Sequence, residues 1–388
     1  LIKTIRLQGF KAAFDSKDIA LSALTAFIGR NGAGKSSVIE ALQWLQESLA
    51  SGLDAATTER FQSFDDLCNK RTDEIDLTLD FMAPSGKPVR YELAVERGES
   101  GRSVVGRERC TEGRTSGAVA TIRSIRSRTL AGHGPTRLVN GPRIALRIRD
   151  DDTLALAQTT RSGAKGAERL LEFIRRAVFL RLSPTAIAEP GPLRVPSRGA
   201  GIDEEGRATP AVIRLLSKSQ AGEVRERLNA SLRDVEGIGV VPMGENRGVL
   251  SITERMKARG GTRSFDIPAW MLSEGTRRIA AIYTLLAREP LPSLLAIEEV
   301  ENGLDPWTLQ QVVDALRDAA GRGVQVVLTT HSPYLLDRLE LDDVVHVERA
   351  KGETVYRRLR EYEVVRENEG RVPPGIMYVS NFLGDIEE

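Results

Sequence analysis

Cysteine is nearly absent from these 388 residues: Cys68 and Cys110 are the only two, far apart in the chain. That scarcity excludes a disulfide framework and a C-x-x-C metal knuckle, and points to a reducing compartment. No apolar run is long enough to cross a bilayer. The opening Leu1 to Phe10 alternates like a strand and does not run as a charged-then-apolar leader, so no membrane partner and a cytoplasmic location are expected. Fifty-five lysines and arginines against 54 acids leave a net charge of +1, which excludes a uniformly basic surface but allows a local patch. No heptad seam of three or more repeats appears between the two halves of the chain, so long coiled-coil arms are not expected. What is present, 41% hydrophobic and 28% charged residues, is the composition of a folded protein. The length exceeds one ordinary core, which predicts two lobes or one domain carrying an insertion.

The chain is organised around Gly29-Arg30-Asn31-Gly32-Ala33-Gly34-Lys35-Ser36, with Ser37 behind it. These residues satisfy every fixed position of the G-x-x-x-x-G-K-[ST] loop. An apolar run, Leu24 to Ile28, enters it and an amphipathic run, Val38 to Leu49, leaves it, the pattern of strand, loop and helix. Gly29, Gly32 and Gly34 are expected at positive φ, turning backbone N–H groups inward, while the helix start adds free donors and the positive end of its dipole. Polyphosphate is the natural guest. Lys35 is positioned to reach the β- and γ-phosphates and Ser36 to ligate Mg²⁺.

Before the loop, Ile2 to Leu7 and Ile19 to Leu24 read as strands; beyond the helix, Gln62 is a candidate magnesium-sensing glutamine. Ile75 to Phe81 and Val89 to Val95 alternate around Pro84-Ser85-Gly86-Lys87, a hairpin. Arg97 to Arg149 then carries twelve arginines, no lysine, and only Glu99, Glu108 and Glu112 as acids. One reading is a DNA phosphate-backbone surface. The other is a solvated segment whose arginines pair with acids such as Asp150-Asp151-Asp152, and the lack of interleaved aromatics favours it. Ala167 to Leu180, Ala211 to Leu216 and Ala221 to Val235 read as helices, Pro190 to Gly206 as a connector and Val249 to Glu254 as a strand.

A second constellation lies near the C-terminal end. Ser273 and Gly275 open an apolar helix, where a hydroxyl and free N–H groups can hold an anion. Leu294 to Ile297 is a buried-strand pattern ending in Glu298-Glu299, followed by Glu301-Asn302-Gly303-Leu304-Asp305. Two acids at a parallel strand tip suit a metal-side ligand and a water-activating base. A second buried strand, Val324 to Leu328, leads to His331.

As a set these motifs resemble the ABC-type ATPases of the RecF and SMC group and, within it, single-chain ATPases related to the OLD family. The resemblance covers residues 1–50 and 265–350 well. It implies an α/β P-loop NTPase head of ABC type with an antiparallel β subdomain and a mixed α/β insertion: 1–95 and 265–388 as the two parts of the head, 96–264 as the insertion. It also implies Gly29 to Ser37 as Walker A, Leu272 to Arg278 as the signature, Glu298 as the metal-side acid, Glu299 as the catalytic base, Glu301 to Asp305 as the D-loop and His331 as the switch histidine. ATP and Mg²⁺ are the implied cofactors. A homodimer is the implied partner state, the signature of one copy closing on ATP held by the other. Glu298 stands where an aspartate is more common, and Val300 where a proline is. About fifty residues follow the His331 strand, too few for the Toprim nuclease of OLD relatives, whose acids would have to be Asp342, Asp343, Glu348 and Glu353; these read as solvated turns.

Two functions follow from different classes. One is an ATPase that dimerises on ATP and drives a conformational change in a DNA repair or anti-phage complex. The other is a slow ATP-switched binding module that recruits or restrains a separate effector. Transport is disfavoured by the length of the segment between loop and signature.

Overall fold

The computed structural model describes residues 1–113, 123–124, 150–160, 164–194, 201–258, 261–350 and 352–383. Its contacts divide the chain into two units. The first comprises Leu1–Arg175, Leu341–Arg371 and Ser380–Glu388, the second Arg176–Glu340 and Val372–Val379.

The first unit is built on an antiparallel sheet in which Ile2–Phe10, Glu74–Met82, Pro88–Arg97 and Ser103–Glu112 pair in that order. Alternation decides the buried face: Ile75, Leu77, Leu79 and Phe81 point inward from one strand, Val89, Tyr91, Leu93 and Val95 from the next. Glu108, fully buried at the centre, accepts hydrogen bonds from the Tyr91 hydroxyl and from the Ala155 and Leu156 N–H groups. Burial pushes the Tyr91 hydroxyl well above its ordinary value. A separate ladder joins Leu24–Ile28 in parallel to Val344–Ala350, which continues antiparallel to Glu353–Arg358. The helix Ser36–Ser51 follows the glycine loop, burying Val38, Ile39, Leu42 and Leu45 and ending at Gly52, whose φ of 96° only glycine takes easily.

The second unit contains a parallel set, Val178–Leu180 beside Leu294–Ile297 beside Gln325–Thr330, and an antiparallel meander, Val235–Pro242, Arg247–Ala258 and Gly261–Pro268. The helices Glu274–Ala287 and Pro306–Gly321 bury apolar faces at Ile279, Ile282 and Leu286, and at Leu309, Val312 and Leu316.

Several boundaries differ from the sequence reading. The helix expected over 167–180 stops at Arg175, because Val178, Phe179 and Leu180 pair with Leu295, Ala296 and Ile297. The next two helices run Thr209–Ile213 and Lys218–Ser231, and Val235 opens a strand. Glu348 and Glu353 are not in turns: they lie on the paired strands Val344–Ala350 and Glu353–Arg358. No helix among the described residues is long and apolar enough to cross a membrane.

Candidate nucleotide site

In the first unit, the phosphate loop is shaped by its own backbone and by the strand pair below it. Gly32 and Gly34 have φ of 73° and 105°, as the motif requires. Gly29 does not. Its constraint is close approach: a Cβ there would lie 1.9 Å from the Val347 carbonyl oxygen. Gly34 is doubly constrained, since a Cβ would also meet the Thr354 methyl at 2.8 Å. The Tyr356 hydroxyl donates to the Gly34 carbonyl at 2.9 Å, and its ring packs edge-on against Phe27. Burial pushes that hydroxyl far above its ordinary value, with Ser37 acting against the shift. Val347, Thr354 and Tyr356 thus hold the loop from a segment more than three hundred residues along the chain.

Lys35 is buried, and its Nζ donates to the Gly29 and Arg30 carbonyls, both at 2.9 Å. Ser36 begins the helix and Ser37 is buried behind it, while Arg30 and Asn31 are exposed. A cation held on loop carbonyls, two left-handed glycines and a helix start fit a polyphosphate. No cluster of three or more His, Cys, Asp or Glu able to hold a metal occurs among the described residues.

In the second unit, Glu298 and Glu299 emerge from the strand Leu294–Ile297 as the sequence predicts. The Glu298 N–H donates to the Leu180 carbonyl, extending the pairing with the neighbouring strand. Glu299 adopts φ 47°, an unfavourable conformation for a residue with a Cβ. It is held there at both ends. Its N–H donates to Thr329 Oγ1 at 3.0 Å, and its carboxylate accepts from Asn302 Nδ2 at 2.5 Å. Thr329 is itself buried in the strand that delivers His331. The His331 N–H donates to Glu301 Oε1, so the histidine tip and the turn after the acids are tied together.

Ser273 caps the helix Glu274–Ala287, accepting from the Thr276 N–H at 3.1 Å. Gly275 is required by packing: a Cβ would lie 2.4 Å from the Gly303 carbonyl oxygen. Asp305 caps the helix Pro306–Gly321 by accepting from the N–H groups of Trp307 and Thr308 and from the Thr308 hydroxyl. These bonds, the Thr308 side chain first, hold its carboxyl below the ordinary range.

A cleft of about 600 Å³ opens beside the acids, lined by Glu298, Glu299, Asn302, Arg278, the segment Arg181–Pro184, and Glu204 and Glu205. Sequence reasoning missed Arg181–Pro184, which the short strand Val178–Leu180 brings there, and placed Arg278 in the signature and Asn302 in the D-loop without giving either an individual role. Burial draws the Arg278 guanidinium down from its ordinary value, opposed by Glu274, Glu299 and Glu301.

Gln62 is exposed at the C-terminal end of the helix Leu53–Phe61, with φ 71°, and its side chain makes no hydrogen bond among the described residues. Of the arginine-rich stretch, residues 114–122 and 125–149 lie outside the described residues. Within it, Arg97 pairs with Asp65, Arg107 with Asp76, Arg109 with Glu92, and Arg102 with Asp54, Asp151 and Asp152. Those four follow the acid-paired reading.

The family model described as "AAA domain, putative AbiEii toxin, Type IV TA system" matches residues 24–337. No curated protein matches the chain. Solved SMC heads do. One, bound to the C-winged helix domain of ScpA, is 14% identical, with a TM-score of 0.54 over 93% of this chain and 99% of that one. Another, an Smc head with an extended coiled coil bound to the C-terminal domain of ScpA derived from Pyrococcus furiosus, is 14% identical, with a TM-score of 0.52 over 95% of this chain and 99% of that one. At these identities the likeness is one of fold, an α/β P-loop NTPase head. The family match spans most of the chain, which therefore belongs to this AAA-domain family and is built on the fold of SMC heads.

Proposed function

We propose that the chain is a Mg²⁺-dependent ATPase that uses Glu299 as its general base. The observation that carries this reading is Glu299 itself, forced to positive φ at a strand tip and fixed by Thr329 and Asn302. Strain of this kind, of order 1–3 kcal/mol, persists where position matters more than stability. The phosphate loop supplies the other requirement. Lys35 turns from the Gly29 and Arg30 carbonyls toward the β- and γ-phosphates, and the metal-ligating roles are assigned to the Ser36 hydroxyl and to Glu298. Bound Mg²⁺ would neutralise charge on the β- and γ-oxygens. Glu299 orients the attacking water and takes its proton, and His331 senses the terminal phosphate.

Ser273 and Gly275 of a second copy complete the site, so ATP drives dimerisation. Closure and reopening act on a partner protein in a DNA repair or anti-phage defence setting. The SMC heads bound to parts of ScpA support a protein partner for this fold. The first test is binding: Lys35→Ala abolishes ATP binding, and unchanged affinity sinks the loop assignment. Glu299→Gln with saturating ATP accumulates as a dimer in light scattering; a monomer under those conditions rejects the composite site.

A further inference from the structure

Arg181, Glu204, Glu205 and Arg278 are charged groups of the second unit's cleft that the proposed chemistry leaves unused, and Arg278 is the one with a buried side-chain nitrogen that has no hydrogen-bond partner. It sits one turn into the helix Glu274–Ala287, half-buried, on the cleft wall shared with Glu298, Glu299 and Asn302. Among the described residues its guanidinium makes no hydrogen bond or ion pair, and its Nε is fully buried. Three carboxylates, Glu274, Glu299 and Glu301, act on it through space, and none touches it. An arginine kept for structure forks onto a carboxylate. The natural mate is Glu301, whose Oε2 is likewise buried and without a partner, yet the fold keeps the two apart. A half-buried guanidinium whose Nε is buried without a partner costs free energy, and the acids around it make a poor resting place for a free anion. Such a cation is suited to negative charge that develops during a reaction, where a group already desolvated and already oriented is most effective.

We propose that Arg278 is a catalytic arginine that engages phosphoryl oxygens as charge builds on them during the attack directed by Glu299. This rests on the ATPase reading above. Its ligand is the transferring phosphoryl group of a Mg²⁺-bound nucleotide, and free phosphate is the alternative source of the same oxygens. An arginine in this role in other phosphoryl-transfer enzymes contributes roughly 10³-fold or more to turnover.

The test uses the full chain with Arg278→Ala, Arg278→Lys and Arg278→Leu. Three quantities are measured: ATP affinity, turnover, and formation of a Mg²⁺–ADP–aluminium fluoride complex, with inorganic phosphate alone as a separate arm. ATP affinity is expected within about threefold of the parent and turnover about a thousandfold lower in Arg278→Ala. The aluminium fluoride complex is lost, and Arg278→Lys restores it only in part because an ammonium lacks the planar fork. Phosphate alone binds parent and variants equally poorly. Because burial of the cation outweighs its through-space attraction to Glu274, Glu299 and Glu301, Arg278→Leu melts no lower than the parent. Parent turnover unaffected by Arg278→Ala, full rescue by lysine, phosphate alone bound through Arg278, or early melting of both Arg278→Ala and Arg278→Leu each overturns this inference and leaves the ATPase reading intact. A parent chain that does not hydrolyse ATP overturns both.

Discussion

Replacing Tyr356 with phenylalanine removes one oxygen atom and with it the bond that fixes the Gly34 carbonyl at 2.9 Å. The ring keeps its edge-on contact with Phe27, so packing changes little. A neutral hydrogen bond is worth about 1 kcal/mol net, and leaving a buried carbonyl bare raises the cost to about 1–3 kcal/mol. Gly34 sits at φ 105°, a conformation held in part by this bond, so the loss falls on the phosphate loop. If about 2 kcal/mol is expressed as a loosened loop, ATP affinity drops about thirtyfold. Tyr362→Phe is the matched control. Its hydroxyl bonds His346 Nδ1 at 2.8 Å in the same unit and does not bond a carbonyl of the loop glycines. Urea melts should show both variants destabilised by about 1–3 kcal/mol, while titration with a fluorescent ATP analogue shows weakened binding in Tyr356→Phe alone. Equal ATP affinity in the two variants would refute the support assigned to Tyr356.

Asp305 should behave as a charged helix cap. Asp305→Ala lowers stability by about 1 kcal/mol at neutral pH. Its folded-state pKa lies below its ordinary value of 3.8, so its contribution is present above that value and is lost as pH falls through the folded pKa. Melting curves of parent and variant should therefore converge in acid; a gap that stays constant to pH 2–3, about one unit below the ordinary carboxylate range, rejects an ionic cap. Burial pushes the Cys68 thiol up to about 11 and the Cys110 thiol up to about 12. Both are expected to resist a thiol reagent at pH 8 until the chain is unfolded, when two equivalents react; rapid labelling of the native chain contradicts their burial.

The phosphate loop was legible because its motif is local and each fixed residue has a reason a short sequence window can show. The paired acids and His331 were legible for a related reason, a run of buried residues ending abruptly in polar ones. Their supports were not. Val347, Thr354 and Tyr356 reach the loop through a parallel pairing of Leu24–Ile28 with Val344–Ala350, which no local pattern encodes. That pairing also explains Gly29, where the motif suggested a left-handed residue and the structure shows a close approach. Val178 to Leu180 was read into the preceding helix because three apolar residues fit a helical face as well as a strand. Pairing beside Ile297 overrides the helical period, and with it the contribution of Arg181–Pro184 to the cleft was hidden. Arg278 lay inside a recognised motif, but its lack of a partner is a property of the fold alone.

The central claim is that this chain hydrolyses ATP with Glu299 as base. Single-turnover hydrolysis of Mg²⁺-ATP by the parent and Glu299→Gln, with nucleotide affinity measured on the same samples, tests it most directly. The account predicts steady hydrolysis by the parent, undiminished ATP binding by the variant, and loss of at least about a hundredfold in its hydrolysis rate, the scale of a general base. Equal hydrolysis rates in the two, or no hydrolysis by the parent, would contradict it.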